Sequence, residues 1–132
     1  MKKVLIVDDH DGIRRMLRLA LSGRYQLFEA ANADDAWELM RQTPPDAVLL
    51  DIMMPGELNG AGLCRKIRSD RQFNDTYIIM VTACAQRADR EDCLAAGAND
   101  YMVKPFSPLQ LARQLDTVLE RKPDLPLAGV FI

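Results

Sequence analysis

"AVLLDIMMPGELNG", residues 47–60, decides the reading of the fold. Val48, Leu49 and Leu50 form an unbroken apolar run that stops at a carboxylate, Asp51, before two methionines and Pro55-Gly56. A strand with one wet face alternates apolar and polar side chains, whereas a continuous apolar run suits a parallel strand covered on both faces. The same character returns in "KVLIVDD" (3–9) and "YIIMVTA" (77–83), and shorter β-rich runs stand at "YQLFEA" (25–30) and "DYMVK" (100–104). A charge ending a buried run is either a surface cap or a carboxylate placed at a strand end for chemistry.

Between these runs the period becomes helical. Ile13, Met16, Leu17, Ala20 and Leu21 recur at three- and four-residue spacing, with Arg14, Arg15 and Arg18 opposite. A second helix is predicted over 33–42, capped by Asn32, packing Trp37 and Met40, and ended by "TPPD". A third, about 60–69, carries Leu63 and Ile67, and a fourth, roughly 86–96, ends at Gly97 as C-cap. The last takes Ser107 as N-cap and Pro108 at its first position, and buries Leu111, Leu115, Val118 and Leu119. The order is (βα)₅ with short connections. Right-handed crossovers then favour an α/β fold: a doubly wound, five-stranded parallel sheet with helices on both faces.

The 132 residues suit one domain, expected over 1–121, with 122–132, "KPDLPLAGVFI", as a tail or the start of a linker. A net charge of −2 supplies no global field for nucleic acid or an anionic membrane. "MKKVLIVDDH" reads as neither a signal peptide nor a membrane span, so the cytosol is the expected location. Cys64, Cys84 and Cys93 lack the spacing of a zinc site or disulfide framework and are read as reduced, partly buried thiols. The lone His10 cannot form a histidine metal cluster, and no GxSxG elbow for a serine hydrolase is present.

In doubly wound sheets ligands bind beyond the carboxyl ends of the strands. The first predicted strand ends in Asp8-Asp9, the third in Asp51, the fourth in Thr82 and the fifth in Lys104. Each alone has a plain structural reading: helix cap, strand threonine, surface lysine. Together they gather polar groups on one rim. Three neighbouring carboxylates repel one another unless a cation sits among them, and Mg²⁺, with Mn²⁺ as alternative, suits a site of few carboxylates because it keeps several waters. Lys104 and Thr82 are then placed to meet phosphoryl oxygens, and Asp51, central in the rim, to attack phosphorus.

"VLIVDDH", "VLLDIMMPG", "IMVTA" and "GANDYMVKPF", in this order, resemble the receiver domain of two-component response regulators, and the resemblance covers residues 3–120. It implies a CheY-like fold that takes a phosphoryl group from the phosphohistidine of a sensor histidine kinase or a histidine phosphotransfer protein. By motif position it makes Asp51 the phosphoacceptor, Asp9 a direct Mg²⁺ ligand, Asp8 an acidic partner acting partly through water, and the Met53 backbone carbonyl a further ligand. Thr82 and Lys104 match the switch and phosphate contacts, and Tyr101 the rotating aromatic, against which stands a plain half-exposed strand aromatic. The family's cis bond falls at Lys104-Pro105. The surface of helix 4, strand 5 and helix 5 would then switch on phosphorylation to bind a downstream effector, with a phosphorylation-dependent homodimer as one outcome.

The departures are equally definite. Pro55 reaches Gly60 in five residues where the family uses four, and Met53 and Cys84 stand where side chains tune attack by water, which predicts slow autodephosphorylation. Gln110 and Gln114 replace the Glu and Arg of dimer-forming receivers attached to winged-helix domains, and no helix-turn-helix is legible, so direct nucleic-acid binding is not expected from these residues. A Mg²⁺-dependent aspartyl-phosphate phosphatase of the haloacid dehalogenase type is the alternative. It wants a second Asp two residues after its nucleophile, where this sequence has Met53. Nucleotide binding on a Rossmann-like sheet lacks its GxGxxG loop.

Overall fold

Why the central strands carry unbroken apolar runs is visible in where alternate side chains go. In the computed structural model, which describes residues 1–54, 59–83 and 87–120, β1 (Lys3–Val7), β2 (Gln26–Ala30), β3 (Ala47–Asp51), β4 (Tyr77–Thr82) and β5 (Asp100–Val103) form one sheet. Every pairing is parallel, in the order β2-β1-β3-β4-β5. Val48 and Leu50 enter one core with Leu5, Val7, Ile78 and Met80, while Ala47 and Leu49 enter a second with Val4, Ile6, Ile79 and Val81. The period of two is therefore present, but both phases are buried.

The helices supply the two covers. α2 (Ala33–Gln42), α3 (Gly60–Arg68) and α4 (Arg87–Ala95) lie over the first core; α1 (Asp11–Leu21) and α5 (Pro108–Leu115) lie over the second. Asn32 and Ser107 cap α2 and α5 as expected, accepting from the backbone N–H of Asp35 and Gln110. Gly97 adopts φ +109°, a left-handed conformation in which a β-carbon would also strike Arg68. Arg68 closes that corner, donating to the carbonyls of Gly97 (2.8 Å) and Phe73 (3.1 Å) and to Asn99 Oδ1 (2.6 Å).

Three details differ from the sequence reading. Val118 is 39% exposed, not buried: α5 continues as a π-helical turn, Asp116–Glu120, whose extra residue per turn shifts the helical phase and leaves Leu119 on the core side. Met16 likewise sits at the margin of α1 and is exposed. A 3₁₀ turn, Arg71–Phe73, was not foreseen; it buries Phe73 edge-on against Trp37, ring centroids 5.6 Å apart, and Lys66 lies over the Trp37 ring. Cys64 and Cys93 are buried and not joined in a disulfide, and burial pushes the Cys64 thiol up to about 11. Cys84, residues 55–58 of the longer loop and the 122–132 tail lie outside the described residues.

Candidate functional site

The strand order reverses between β1 and β3, so a crevice opens where their carboxyl ends part. Asp8 follows β1 and Asp51 ends β3. Both are buried, Asp51 to 2% exposure. β4 brings Thr82, also buried, to the same edge, and Lys104 follows β5, its backbone N–H donating to the Thr82 carbonyl at 2.7 Å. The Lys104-Pro105 bond is cis. Lys104 Nζ stands 3.3 Å from Asp8 Oδ2 and 3.4 Å from Asp51 Oδ1, so one ammonium faces both buried carboxylates.

The capping explanation for Asp8-Asp9 does not hold in its simple form. The N-cap of α1 is His10, whose side chain caps nothing. Asp8 Oδ1 instead accepts from the His10 backbone N–H (2.9 Å) and lies 3.1 Å from His10 Nδ1. The Asp8 carbonyl accepts from Arg14, which also pairs with Asp11 and Glu29. Asp9 Oδ1 is 3.2 Å from the same His10 nitrogen, but without hydrogen-bond geometry.

Charge is under-compensated here. Asp51 Oδ1 accepts from the Met53 N–H at 3.2 Å, while Asp51 Oδ2 and Asp9 Oδ1 are buried with no hydrogen-bond partner among the described residues. Burial, and then the Asp8 charge, hold the Asp51 carboxyl above the usual carboxylate range, against the pull of Lys104 and the Met53 N–H. Ligand atoms of Asp8, Asp9, His10 and Asp51 all lie within 4.8 Å of one another. Two orphaned carboxylate oxygens in such a group fit a hard divalent cation, which would supply the missing positive charge.

The remaining predicted residues are placed around this centre. Met53 is on the rim, 66% exposed, beside a cleft of about 400 Å³ that Thr82, Asn59, Arg65 and Cys93 also line. Tyr101, on β5, is half-buried against the first core. Gln114 donates to Asp100 and so is held within the chain. Two contributors escaped sequence reading. A lone histidine forms no histidine cluster, but the place of His10 directly after Asp8-Asp9 is the signal for its contact with both carboxylates. Asn59 caps α3 through the Gly62 N–H (2.9 Å) and so fixes the helix that borders Asp51.

A doubly wound parallel sheet with carboxylates, threonine and lysine collected at its switch point defines an α/β domain built to handle a charged group at that rim. The chain belongs to the response regulator receiver domain family, whose model matches residues 4–116. It is similar to the probable transcriptional regulator ycf27 of Guillardia theta, 48% identical over 91% of this chain and 46% of that protein, and so spans about half the length of such curated relatives. Among solved structures, a putative response regulator from Chloroflexus aurantiacus superposes with a TM-score of 0.84 at 35% identity, covering 91% of this chain and 98% of that one. The Vibrio cholerae chemotaxis protein CheY4 gives 0.83 at 32%, covering 90% and 99%. The protein is therefore a response regulator receiver of two-component signalling with a CheY-like fold. No helix among the described residues is long and apolar enough to cross a membrane.

Proposed function

We propose that this receiver accepts a phosphoryl group on Asp51 from the phosphohistidine of a sensor histidine kinase or histidine phosphotransfer protein. The observation that carries the reading is Asp51 itself: a buried carboxylate with one oxygen unpartnered, beside Asp8 and Lys104, in the switch-point crevice. Receiver domains use Mg²⁺, and Asp8, Asp9, Asp51 and the Met53 carbonyl are the groups that would hold it. When bound, the ion supplies positive charge to phosphoryl oxygens.

The chain's own residues then divide the work. An Asp51 oxygen attacks phosphorus as the donor's P–N bond breaks, and the imidazole leaves with the bonding pair and takes up a proton. Lys104, already facing the Asp51 oxygen, meets one phosphoryl oxygen, and the Thr82 hydroxyl turns to donate to another. Movement of Thr82 makes room for Tyr101, which biases the surface of α4, β5 and α5 between two arrangements. Met53 offers no group to orient water, so return to the free carboxylate and inorganic phosphate is slow. We take residues 1–121 as the receiver unit and its only catalysis as its own phosphorylation and dephosphorylation. An output through transcription is supported by the name of the ycf27 relative.

Incubation of the full chain with acetyl phosphate and Mg²⁺ tests the reading. A mass gain of one phosphoryl group, absent in Asp51→Ala, is expected. Turnover of diverse phosphate esters would instead favour the phosphatase alternative.

A further inference from the structure

We infer that His10 is a further ligand of this rim, one that shifts its preference from Mg²⁺ towards divalent transition cations able to accept an imidazole nitrogen. The inference rests on reading the rim as a metal site.

The geometry carries it. Bonds of about 2.0–2.2 Å from a metal to histidine nitrogen and carboxylate oxygen place adjacent ligands of an octahedron about 2.8–3.1 Å apart. His10 Nδ1 lies 3.1 Å from Asp8 Oδ1 and 3.2 Å from Asp9 Oδ1, one at the upper end of that range and one just beyond it, both meeting at one nitrogen. The first contact is a hydrogen bond to Asp8; the second brings a further carboxylate oxygen to the same nitrogen as a charge contact without hydrogen-bond geometry. Independently, Asp51 Oδ2 is buried and unpartnered among the described residues, and Asp51 belongs to the same group, whose donor atoms span no more than 4.8 Å, roughly half an ångström beyond the separation of opposite ligands in that octahedron. The His10 side chain is 64% exposed, so Nε2 is open to solvent and can hold the ring proton when Nδ1 exchanges its hydrogen bond to Asp8 for an ion.

Chemistry supplies the direction of the preference. Mg²⁺ favours an all-oxygen octahedron and gains little from nitrogen, whereas Mn²⁺, Co²⁺ and Ni²⁺ bind imidazole with rising strength and Zn²⁺ takes it readily as well. A neutral nitrogen added to three carboxylates therefore discriminates between cations of equal charge.

The test is calorimetric titration of the full chain with Co²⁺ alone and with Mg²⁺ alone, in the parent and in His10→Ala. The variant is expected to lose at least about tenfold in Co²⁺ affinity while its Mg²⁺ affinity stays within about twofold. Unchanged Co²⁺ affinity, or equal losses for both ions, would overturn the inference and leave the site standing. Failure of the parent to bind either ion would instead defeat the reading of the rim as a metal site. Because His10 is the only histidine, its ring ¹⁵N signals give a second measurement in the unmutated protein. Zn²⁺ is expected to displace the Nδ1 resonance far more than Mg²⁺; equal response to both ions counts against coordination.

Discussion

Gly60→Ala places a single methyl group where the fold has no room for it. A β-carbon on Gly60 would stand 2.2 Å from the Asp51 carbonyl oxygen, 2.7 Å from Ile52 Cα and 2.9 Å from the Asp51 carbonyl carbon. All three atoms are backbone, so no side chain can rotate away. Reaching even 3.0 Å from the oxygen requires about 0.8 Å of relative movement between the start of α3 and the end of β3. That movement also strains the Gly60 N–H bond to the Ile52 carbonyl, now 3.1 Å. Overpacking of this kind costs about 1–3 kcal/mol, which lowers the melting temperature by roughly 4–12 °C for a domain of this size. Displacing Asp51 by a sizeable fraction of an ångström slows phosphoryl uptake on the order of tenfold or more. The control is Gly12→Ala in α1, where a β-carbon meets nothing within 4 Å. There the helix gains about 0.5–1 kcal/mol. Thermal melts followed by circular dichroism, with acetyl phosphate labelling of each variant, measure both effects. A Gly60→Ala protein that melts with the parent and labels within twofold of its rate would refute the reasoning.

Three further outcomes are expected. Burial and Asp8 hold the Asp51 carboxyl above its ordinary 3.8, so the folded state binds this proton more tightly than the unfolded chain. The stability it contributes is full below about 3.8 and is lost as pH rises through the raised value. Asp51→Asn, melted in EDTA, should therefore be the more stable protein at neutral pH, with the gap closing as pH falls towards 4; a gap that widens on acidification contradicts the assignment. Phe73→Ala removes a fully buried ring packed edge-on against Trp37, and urea denaturation should report a loss of about 3–5 kcal/mol. The phosphorylated protein, freed of phosphodonor, should keep its label for well over a minute in Mg²⁺ buffer, and a half-life of seconds would mean that water is oriented by groups other than Met53 and Cys84.

Most of the fold was legible because burial of both sheet faces writes itself into the strands. Val48 to Leu50 had to be apolar at consecutive positions once two cores claimed alternate side chains. Caps at Asn32 and Ser107 were equally readable, since the local chemistry of a helix start depends on its own residues. Legibility failed where phase or distance intervened. The π-helical turn that exposes Val118 changes residues per turn without any glycine or proline to announce it. Phe73 sits in a stretch too short for a period, and its burial depends on Trp37, 36 positions away. At the rim, the polar strand ends were readable one by one, but their convergence depended on strand order. The count of one histidine says nothing of proximity, and His10 lies beside both Asp8 and Asp9.

The rim also shows what the sequence accepted in energetic terms. A carboxylate buried with one oxygen unpartnered typically destabilises a fold, and replacing it by a neutral side chain would relieve that cost. The chain instead surrounds Asp51 with a second buried carboxylate, Asp8, and offers a single ammonium, Lys104, to both. Such a balance is poor as structure and useful as a site, because any cation or phosphoryl group arriving there changes the account by more than a surface ion would. Gly60 belongs to the same design: only a residue without a side chain lets α3 approach the Asp51 backbone this closely, which holds the carboxylate at the strand end where it meets the crevice. Whatever the length of the path from Pro55, Gly60 rests against the backbone of Asp51 and Ile52.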